Sequence, residues 1–385
     1  MESADWGIPT AIRFGVGRIG ELQEVLMLTG VQRPLLVTDE GLASLPFLQR
    51  IAAQLGEAGI DAAVYSEVQG NPTLSNVEGG LAVLRREKRD GVIAIGGGSA
   101  LDAGKTIAMM AGQSKPLWDY VDGEDAWMRA DVRAILPVIA VPTTAGTGSE
   151  VGRAAVILDE VSHTKKIVWH PNMLPKVVIS DPELTVGLPA NITAWTGMDA
   201  MVHAIEAYCS PAYHPIADGI AIEAIRRVAR WLPEAVGDGT NLEARGNLLV
   251  AASMGATAFQ KGLGSVHSVS HVVGALYNTH HGLTNAVVLP FGLIQNLSAV
   301  RDRLSHLARV LELEDVSAGG FIDYIFSLRE ELSIPTSLAE IGVSAARAEE
   351  VGRLALQDPT AATNAMPLTA VDLQQLFIAA HAGKL

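Results

Sequence analysis

Residues 91–105 read Gly91-Val-Ile-Ala-Ile-Gly-Gly-Gly-Ser-Ala-Leu-Asp-Ala-Gly-Lys105, an apolar run followed by three glycines and the start of a helical pattern. Such a run, bounded by glycines, is typical of a buried strand. Glycines let the backbone approach an anion closely, and the free N–H groups and dipole of a new helix attract it. The stretch predicts a phosphate-binding strand, loop and helix, with a plain strand-to-helix turn as the alternative. Its spacing fits neither G-x-G-x-x-G nor the P-loop.

Apolar runs of the same kind recur through the first half of the chain, with amphipathic segments between the first three. This alternation predicts a parallel α/β sheet. Helical patterns dominate after residue 187. We therefore predict an α/β N-terminal dinucleotide-binding domain (residues 1–186) and an all-α C-terminal domain (residues 187–385), with a cleft between them. The other strands are expected at Pro34–Asp39, Asp61–Tyr65 and Ile135–Val141, and helices at 215–235, 242–260 and 303–312.

Two polar positions after strands suit a dinucleotide. Asp39 ends the strand Pro34–Asp39, where a carboxylate can bind the ribose hydroxyls and repel a 2′-phosphate, which favours NAD over NADP. The turn Pro142-Thr-Thr-Ala-Gly-Thr-Gly-Ser-Glu150 follows another strand, and its hydroxyls could hold the pyrophosphate or the nicotinamide amide.

The second half contains a candidate metal site. Asp199 and His203 are spaced i, i+4 in Thr196-Gly-Met-Asp-Ala-Met-Val-His-Ala-Ile-Glu-Ala-Tyr208, so both side chains share one helix face. His267 lies on a second helical segment, and His281 follows in the turn-like Asn278-Thr-His-His-Gly282. Two helices and a loop would therefore supply three imidazoles and a carboxylate, a set that suits iron(II) or zinc.

Each of these histidines alone could be an ordinary core or surface residue. Four of the ten histidines, however, fall between residues 267 and 281, inside a stretch from Gly262 to Val300 without Asp, Glu, Lys or Arg. A stretch without charges is expected to be buried, and buried imidazoles need partners. The clustering therefore favours a metal site.

Composition limits the class of protein. With 385 residues, 49% of them hydrophobic, the chain can form two compact domains. A net charge of −14 argues against nucleic acid or an anionic membrane as the partner. The single cysteine, Cys209, excludes disulfides within the chain and fits a reducing compartment. The stretch Met1-Glu-Ser-Ala-Asp-Trp6 lacks the features of a signal peptide, so we expect a cytoplasmic protein.

Seven motifs, read in order, resemble the iron-dependent (group III) alcohol dehydrogenase family, whose fold is related to that of dehydroquinate synthase. The likeness extends over nearly the whole chain. The motifs are Asn71-Pro-Thr73, Gly96 to Lys105, Pro142 to Glu150, Asp181-Pro-Glu-Leu-Thr185, Gly197 to Glu206, Gly262-Leu-Gly-Ser-Val-His267 and His281-Gly282.

The resemblance implies roles for individual residues. Asp199, His203, His267 and His281 match the family's metal ligands, so the expected cofactors are NAD and Fe²⁺, or Zn²⁺ or another divalent metal. Asp39 matches the position that selects NAD. His280 stands where family members often have proline, and His281, which is followed by glycine as in the family, is taken as the ligand. The positions that match the dinucleotide site are Asn71, Gly97, Gly98, Ser99, Asp102, Thr143, Thr144, Thr147 and Lys166.

The implied reaction is the NAD-dependent oxidation of a primary alcohol to an aldehyde, or the reverse, with a metal that lowers the pKa of the hydroxyl. His271, one helical turn from His267, is our candidate catalytic proton relay, with packing as its alternative role. Glu-Val-x-Arg-x-Ala around Arg153, together with Lys165-Lys-Ile-Val-Trp-His170 and Phe259 to Ser268, is similar to the 4-hydroxybutyrate dehydrogenase branch.

A short hydroxy acid is therefore the expected substrate, with Arg153 or Lys261 as its carboxylate partner, unless Arg153 forms a structural ion pair with Asp159 or Glu160. The alternative is a simple short-chain alcohol or diol dehydrogenase. A metal- and NAD-dependent cyclase and a non-catalytic NAD-binding sensor are less favoured. The resemblance also implies a homodimer, with Thr10-Ala-Ile-Arg-Phe14 as an edge strand that reaches the partner.

Overall fold

A computed structural model describes residues 10–384, so the N-terminal stretch without a signal-peptide pattern lies outside the described residues. The chain divides into two compact units. Of the described residues, one unit contains 10–144 and Gly148–Gly187, and the other contains Ala145–Thr147 and the chain from Leu188 onward. The first is the α/β unit and the second is the helical unit.

The α/β unit is built on a six-stranded sheet in the order β1-β8-β5-β4-β2-β3, in which every neighbouring pair is parallel. Its central strands are rich in Val, Ile, Leu and Ala and fully buried, because helices cover both faces of a parallel sheet. The strands are β1 (Ala11–Phe14), β2 (Pro34–Asp39), β3 (Ala63–Val68), β4 (Gly91–Gly96), β5 (Val138–Pro142) and β8 (Val177–Ser180).

Five helices connect the first strands, and a separate antiparallel hairpin made of β6 and β7 follows β5. The helix α4 starts with a capping box in which Thr73 and Asn76 satisfy each other's backbone N–H groups. The helices are α1 (Leu22–Thr29), α2 (Glu40–Ala43), α3 (Pro46–Glu57), α4 (Leu74–Arg86) and α5 (Gly98–Met110), and the hairpin strands are β6 (Ala154–Asp159) and β7 (Thr164–Trp169).

Neighbouring strands β2, β4 and β5 end at the same edge of the sheet, because all three are parallel. Asp39 ends β2, Gly97 follows β4, and Thr143 follows β5. The carboxyl ends of parallel strands are where open α/β sheets bind ligands. The fold therefore gathers three of the positions expected to bind the dinucleotide.

The helical unit contains eight α-helices within its described residues, and alanine, valine, leucine and isoleucine dominate its core. The helices are α6 (Ala190–Cys209), α7 (Pro215–Gly237), α8 (Leu242–Ala258), α9 (Ser265–Tyr277), α10 (His281–Val310), α11 (Ala318–Glu331), α12 (Ala348–Ala355) and α13 (Ala370–Ala382). The architecture confirms the predicted fold class, a parallel α/β unit followed by an all-α unit.

The helix α10 is the one described helix that is long and apolar enough, by length and composition, to cross a membrane. Its most apolar 18-residue window is 72% buried inside the protein. It packs against α6, α9 and α11, and Pro290 lies within it. α10 is thus packed as a core helix of the helical unit.

Several element boundaries differ from those expected. The segment expected at 303–312 is the end of α10, and the strand expected at Asp61–Tyr65 is observed at Ala63–Val68. Strands β6, β7 and β8 were not predicted at all. In the hairpin, Lys165 and Lys166 interrupt the apolar pattern, because one face of this two-stranded ribbon is not buried by a second layer.

Candidate metal centre and dinucleotide site

Asp199, His203, His267 and His281 lie together in the helical unit, with one potential ligand atom from each within 4.8 Å of all the others. α6 carries Asp199 and His203 on one face, α9 carries His267 in its first turn, and α10 carries His281. His281 was expected in a loop, but it is the first residue of α10. Three helices therefore supply the four side chains.

The cluster is shielded from water, since Asp199, His203 and His267 are buried and His281 is partly buried. Burial lowers the pKa of His203 to about 4, against the opposing charge of Asp199. Its imidazole is therefore neutral at physiological pH, which is the form that binds a metal. The His203 and His267 rings stack with centroids 4.6 Å apart.

Asn285, one helical turn after His281, lies among the potential ligand atoms. Its Nδ2 donates to Asp199 Oδ1 at 2.7 Å and lies 3.2 Å from His267 Nε2 and 3.1 Å from His281 Nε2. His281 Nε2 is itself 3.6 Å from Asp199 Oδ1. The Nε2 atoms of both histidines therefore face the same point as the Asp199 carboxylate.

The Nδ1 atoms of the three histidines differ in their surroundings. His267 Nδ1 lies 2.5 Å from Glu206 Oε2, and His281 Nδ1 lies 3.2 Å from Ser270 Oγ. Within residues 10–384, the buried Nδ1 of His203 has no hydrogen-bond partner. His267 is therefore paired with a carboxylate on the side away from the cluster.

His271 lies beside the cluster and does not belong to it. Its ring stacks on His281 at 5.3 Å and meets His267 edge-on at 5.8 Å. Its Nδ1 is 2.9 Å from Asp358 Oδ2. Burial opposes ionisation of Asp358, but the charge of His271 and hydrogen bonds from His271 and Thr360 outweigh it, so the pKa of the Asp358 carboxyl is lowered.

His280 caps α10. Its Nδ1 accepts a hydrogen bond from the Leu283 N–H at 3.3 Å, and its ring lies 5.1 Å from that of Trp195. A Cβ at Gly282 would come within 2.4 Å of the Trp195 carbonyl oxygen, so the residue after His281 must be small for α10 to approach α6.

The glycine loop has the backbone that close approach to an anion requires. Gly96 has φ of +149°, and a Cβ there would lie 2.7 Å from the Ala100 side chain. Gly97 is the N-cap of α5, which begins at Gly98. Ser99 Oγ donates to the Gly70 carbonyl at 2.6 Å and so joins the loop containing Asn71 to the start of α5.

Other predicted dinucleotide residues make contacts within the α/β unit. Asp39 Oδ1 accepts the Leu42 N–H at 2.9 Å and caps α2. Asp102 accepts from Ser149 Oγ at 2.5 Å and from the Val156 N–H at 2.8 Å. Thr143 and Thr144 follow β5, whereas Thr147 belongs with the helical unit.

Asp159, one of the two ion-pair partners expected for Arg153, pairs with Lys166, whose Nζ lies 2.7 Å from Asp159 Oδ2. Lys166 also lies 4.7 Å from the ring centroid of Trp118. Glu160 Oε2 instead accepts from Ser75 Oγ at 2.6 Å. The Arg153 side chain is exposed.

Lys261 was the second residue expected to bind a substrate carboxylate, and its contacts argue against that role. Its Nζ is buried, 2.5 Å from Asp218 Oδ1 and 3.0 Å from the Tyr208 carbonyl oxygen. Burial lowers the pKa of Lys261, and Asp218 opposes that effect. The ammonium is therefore already neutralised within the protein.

Sequence reasoning gave no role to Glu206, Asn285 or Asp358. Glu206 follows His203 by three residues and Asn285 follows His281 by four, so helical spacing could have identified both. Asp358 lies 87 residues after its partner His271, and no local pattern marks it.

The donor set fits a divalent metal. Three imidazole nitrogens and one carboxylate oxygen suit iron(II) or zinc, and affinity alone does not choose between them. The buried Asp199 carboxylate also needs a compensating positive charge or hydrogen bonds. These four residues could hold the metal, and the loop from Gly96 to Ser99 could hold a phosphate.

Two family models match the chain. The model for iron-containing alcohol dehydrogenase matches residues 9–182, and the C-terminal model of the Fe-containing alcohol dehydrogenase family matches residues 193–381. Together they span most of the α/β unit and most of the helical unit.

Individual proteins are similar over almost their full lengths. The 4-hydroxybutyrate dehydrogenase of Cupriavidus necator is 40% identical, with 96% of this chain and 97% of that protein covered. The NAD-dependent methanol dehydrogenase of Bacillus methanolicus is 36% identical, with 96% and 98% covered. A crystal structure of 1,3-propanediol oxidoreductase superposes with a TM-score of 0.93 at 36% identity, covering 98% of this chain and 100% of that one.

Proposed function

The chain belongs to the iron-containing alcohol dehydrogenase family, and from this premise we propose that it oxidises a short hydroxy acid such as 4-hydroxybutyrate with NAD, or catalyses the reverse reaction. Alcohol oxidation and the cofactors NAD and iron are properties of the family. The observation that supports a metal-dependent reaction in this chain is the convergence of four ligand atoms within 4.8 Å.

The reaction converts R–CH₂OH and NAD⁺ into R–CHO, NADH and a proton. A divalent metal held by Asp199, His203, His267 and His281 would supply the positive charge that favours loss of the hydroxyl proton. The carbinol carbon then gives a hydride to the nicotinamide, which carries the redox chemistry.

In this proposal His271 receives the hydroxyl proton. Asp358 holds Nδ1 of the ring at 2.9 Å and thereby leaves Nε2 as the proton-accepting atom. The burial of both side chains keeps bulk water away from that hydrogen bond.

We infer that Arg153 binds the substrate carboxylate. A guanidinium can bind a carboxylate through two parallel hydrogen bonds. Arg153 is exposed between Gly152 and Ala154, two small residues that leave room for a ligand. The ion pair between Lys261 and Asp218 disfavours Lys261 for this role. The 40% identity to a 4-hydroxybutyrate dehydrogenase supports the same class of substrate.

The test compares kcat/KM for 4-hydroxybutyrate and 1-butanol, with NAD as the oxidant, in the protein and in an Arg153→Gln variant. A lost charge-assisted hydrogen bond costs about 1.5–3 kcal/mol, so the variant should raise KM for the hydroxy acid roughly 10- to 100-fold. Butanol, which has no carboxylate, should be unaffected. Lys165→Gln, in the neighbouring hairpin strand β7, is the matched control. It should leave KM and kcat/KM unchanged for both substrates.

Equal or better turnover of butanol, or of 1,2- or 1,3-propanediol, would replace the hydroxy-acid proposal with a simple alcohol or diol dehydrogenase. If the protein oxidised none of these four compounds, a cyclase or a non-catalytic NAD-binding sensor would be favoured. Replacement of NAD by NADP should lower activity, because the Asp39 carboxylate at the end of β2 would repel a 2′-phosphate.

We also propose that the protein is a cytoplasmic homodimer. β1 is an edge strand, and its Ile12 and Phe14 side chains are 41% and 44% exposed. An exposed apolar edge strand is a template for pairing with another chain. The single cysteine fits a reducing compartment, and the net charge of −14 disfavours nucleic acid and anionic membranes as partners.

A further inference from the structure

Glu206 is a buried carboxylate that the proposed reaction does not use. It lies on α6, three residues after His203 and seven after Asp199, so helical spacing places it on the same side of the helix as both. Its side chain is only 7% exposed. A buried carboxylate is costly unless hydrogen bonds or charges compensate it, so its partners indicate what it does.

Three hydrogen-bonding contacts of the Glu206 side chain are made with the start of α9. Oε1 accepts from the Val266 N–H at 2.8 Å, and Oε2 accepts from the His267 N–H at 3.3 Å. Oε2 also lies 2.5 Å from His267 Nδ1. The two N–H groups belong to the first turn of a helix, where a negative charge is favourable. Glu206 is therefore held in one orientation by Val266 and His267.

Glu206 can lie close to the start of α9 because residue 264 is a glycine. A Cβ at Gly264 would lie 2.9 Å from Glu206 Oε1 and 2.6 Å from Asn364 Oδ1. Asn364 holds the same segment from the other side, since its Oδ1 accepts the Ser265 N–H at 3.0 Å. The start of α9 is thus fixed between a carboxylate and an amide.

The contact with Glu206 determines the tautomer of His267. The Glu206 carboxylate already accepts two backbone N–H groups, and a third hydrogen bond from Nδ1 places the ring proton there and leaves the lone pair of Nε2 for the cluster. Nε2 is the atom that faces Asn285 and the Asp199 carboxylate. Ser270, beside His281, can donate or accept and therefore enforces no tautomer there.

We propose that Glu206 is a positioning residue that fixes His267 as a ligand of the metal. The carboxylate orients the ring and raises the electron density at Nε2, as carboxylates behind metal-binding histidines generally do. The inference rests on the proposed metal site, and it adds that metal binding by His267 depends on the carboxylate behind its ring.

The experiment measures the Zn²⁺ dissociation constant by competition with a chelator, for the protein and for Glu206→Gln. Loss of such a partner typically weakens metal binding about 10- to 100-fold, and we expect the variant to fall in that range. The visible absorption of the Co²⁺-loaded protein should also change, because the His267 nitrogen becomes a weaker donor.

Asn364→Ala is the matched control. It removes a hydrogen bond to the same segment, at Ser265, without touching a ligand. It should lower thermal stability and leave both the Zn²⁺ constant and the Co²⁺ spectrum unchanged. If Glu206→Gln does not fold, Glu206→Asp keeps the charge one methylene further from His267, and the proposal requires that it bind Zn²⁺ more weakly as well.

A double-mutant cycle tests whether Glu206 acts through His267. In a His267→Ala background, Glu206→Gln should have no further effect on the Zn²⁺ constant. Additive effects, or an unchanged constant in the single Glu206 variant, would overturn the inference while the metal site stands. Absence of Zn²⁺ binding by the unaltered protein would instead overturn the proposed metal site itself.

Discussion

At the scale of single residues, His271 is the side chain whose chemistry matters most after the ligands. It contacts the rings of His267 and His281 on one side and the carboxylate of Asp358 on the other. No metal-ligand role is needed to explain this placement, because the cluster of four is complete without it. A proton relay needs this combination of proximity and a fixed tautomer.

We predict that His271→Phe lowers kcat while iron content stays at the level of the unaltered protein. Loss of a general acid or base typically reduces turnover about 10²- to 10⁴-fold. Phenylalanine keeps the ring that stacks on His281, so the change isolates the proton-accepting nitrogen. Stopped-flow NADH formation and metal analysis measure the two quantities. An unchanged kcat at optimal pH would assign His271 to packing.

At the scale of elements, Lys105 in α5 forms hydrogen bonds with the backbone of the segment from Ser149 to Ala154 and so holds that segment against α5. Its buried Nζ lies 3.2 Å from Asp102 Oδ1 and 3.0 Å from the Ser149 carbonyl oxygen, and it also donates to the carbonyl of Ala154. One ammonium group therefore positions the segment that contains Arg153.

We predict that Lys105→Met reduces the free energy of unfolding by about 3 kcal/mol, because the partly buried Asp102 carboxylate loses its cation and the Ser149 and Ala154 carbonyls lose their donor. Urea denaturation followed by circular dichroism measures the loss. Lys115→Met, at an exposed position, is the matched control and should stay within about 0.5 kcal/mol of the original protein. Equal effects of the two substitutions would contradict a role for the buried ammonium.

Elements with strong local signals could be predicted from the sequence. The strand Pro34–Asp39, the glycine loop and the helix from Pro215 were visible because periodicity and turn chemistry are local properties. The start of α10 was mistaken for a loop, since Asn278 and Gly282 are both turn-forming residues. In the protein, Asn278 ends α9 in the left-handed region with φ of 52°, and α10 begins only three residues later.

In the candidate site, too, local patterns could be predicted from the sequence and contacts between distant segments could not. The four clustered side chains could be predicted because three of the seven motifs contain them and two of the four lie in the charge-free segment. The Asp358 partner of His271 could not, because it depends on how distant helices pack. Likewise, pairing of Lys261 with Asp218 is set by tertiary contact, so the sequence alone left Lys261 as a substrate-binding candidate.

At the scale of the whole molecule, we predict a dimer in solution. Light scattering coupled to size exclusion should give twice the chain mass of 40.5 kDa. Phe14→Lys places a charge on the exposed side of the edge strand β1 and should yield monomers, because charged edge strands resist pairing. Val161→Lys, at an apolar position that is 91% exposed between β6 and β7, is the control and should remain dimeric. If the unaltered protein were a monomer, the proposal that β1 forms a dimer interface would be wrong.

The central claim is that alcohol oxidation by this chain depends on a metal held by Asp199, His203, His267 and His281. The most direct measurement is NADH formation from 4-hydroxybutyrate by chelator-treated protein during anaerobic titration with Fe²⁺. We expect no activity before addition and a rise that saturates at one iron per chain, with Asp199→Asn unresponsive at the same concentrations. Full turnover by the metal-depleted protein, or by Asp199→Asn, would contradict the assignment.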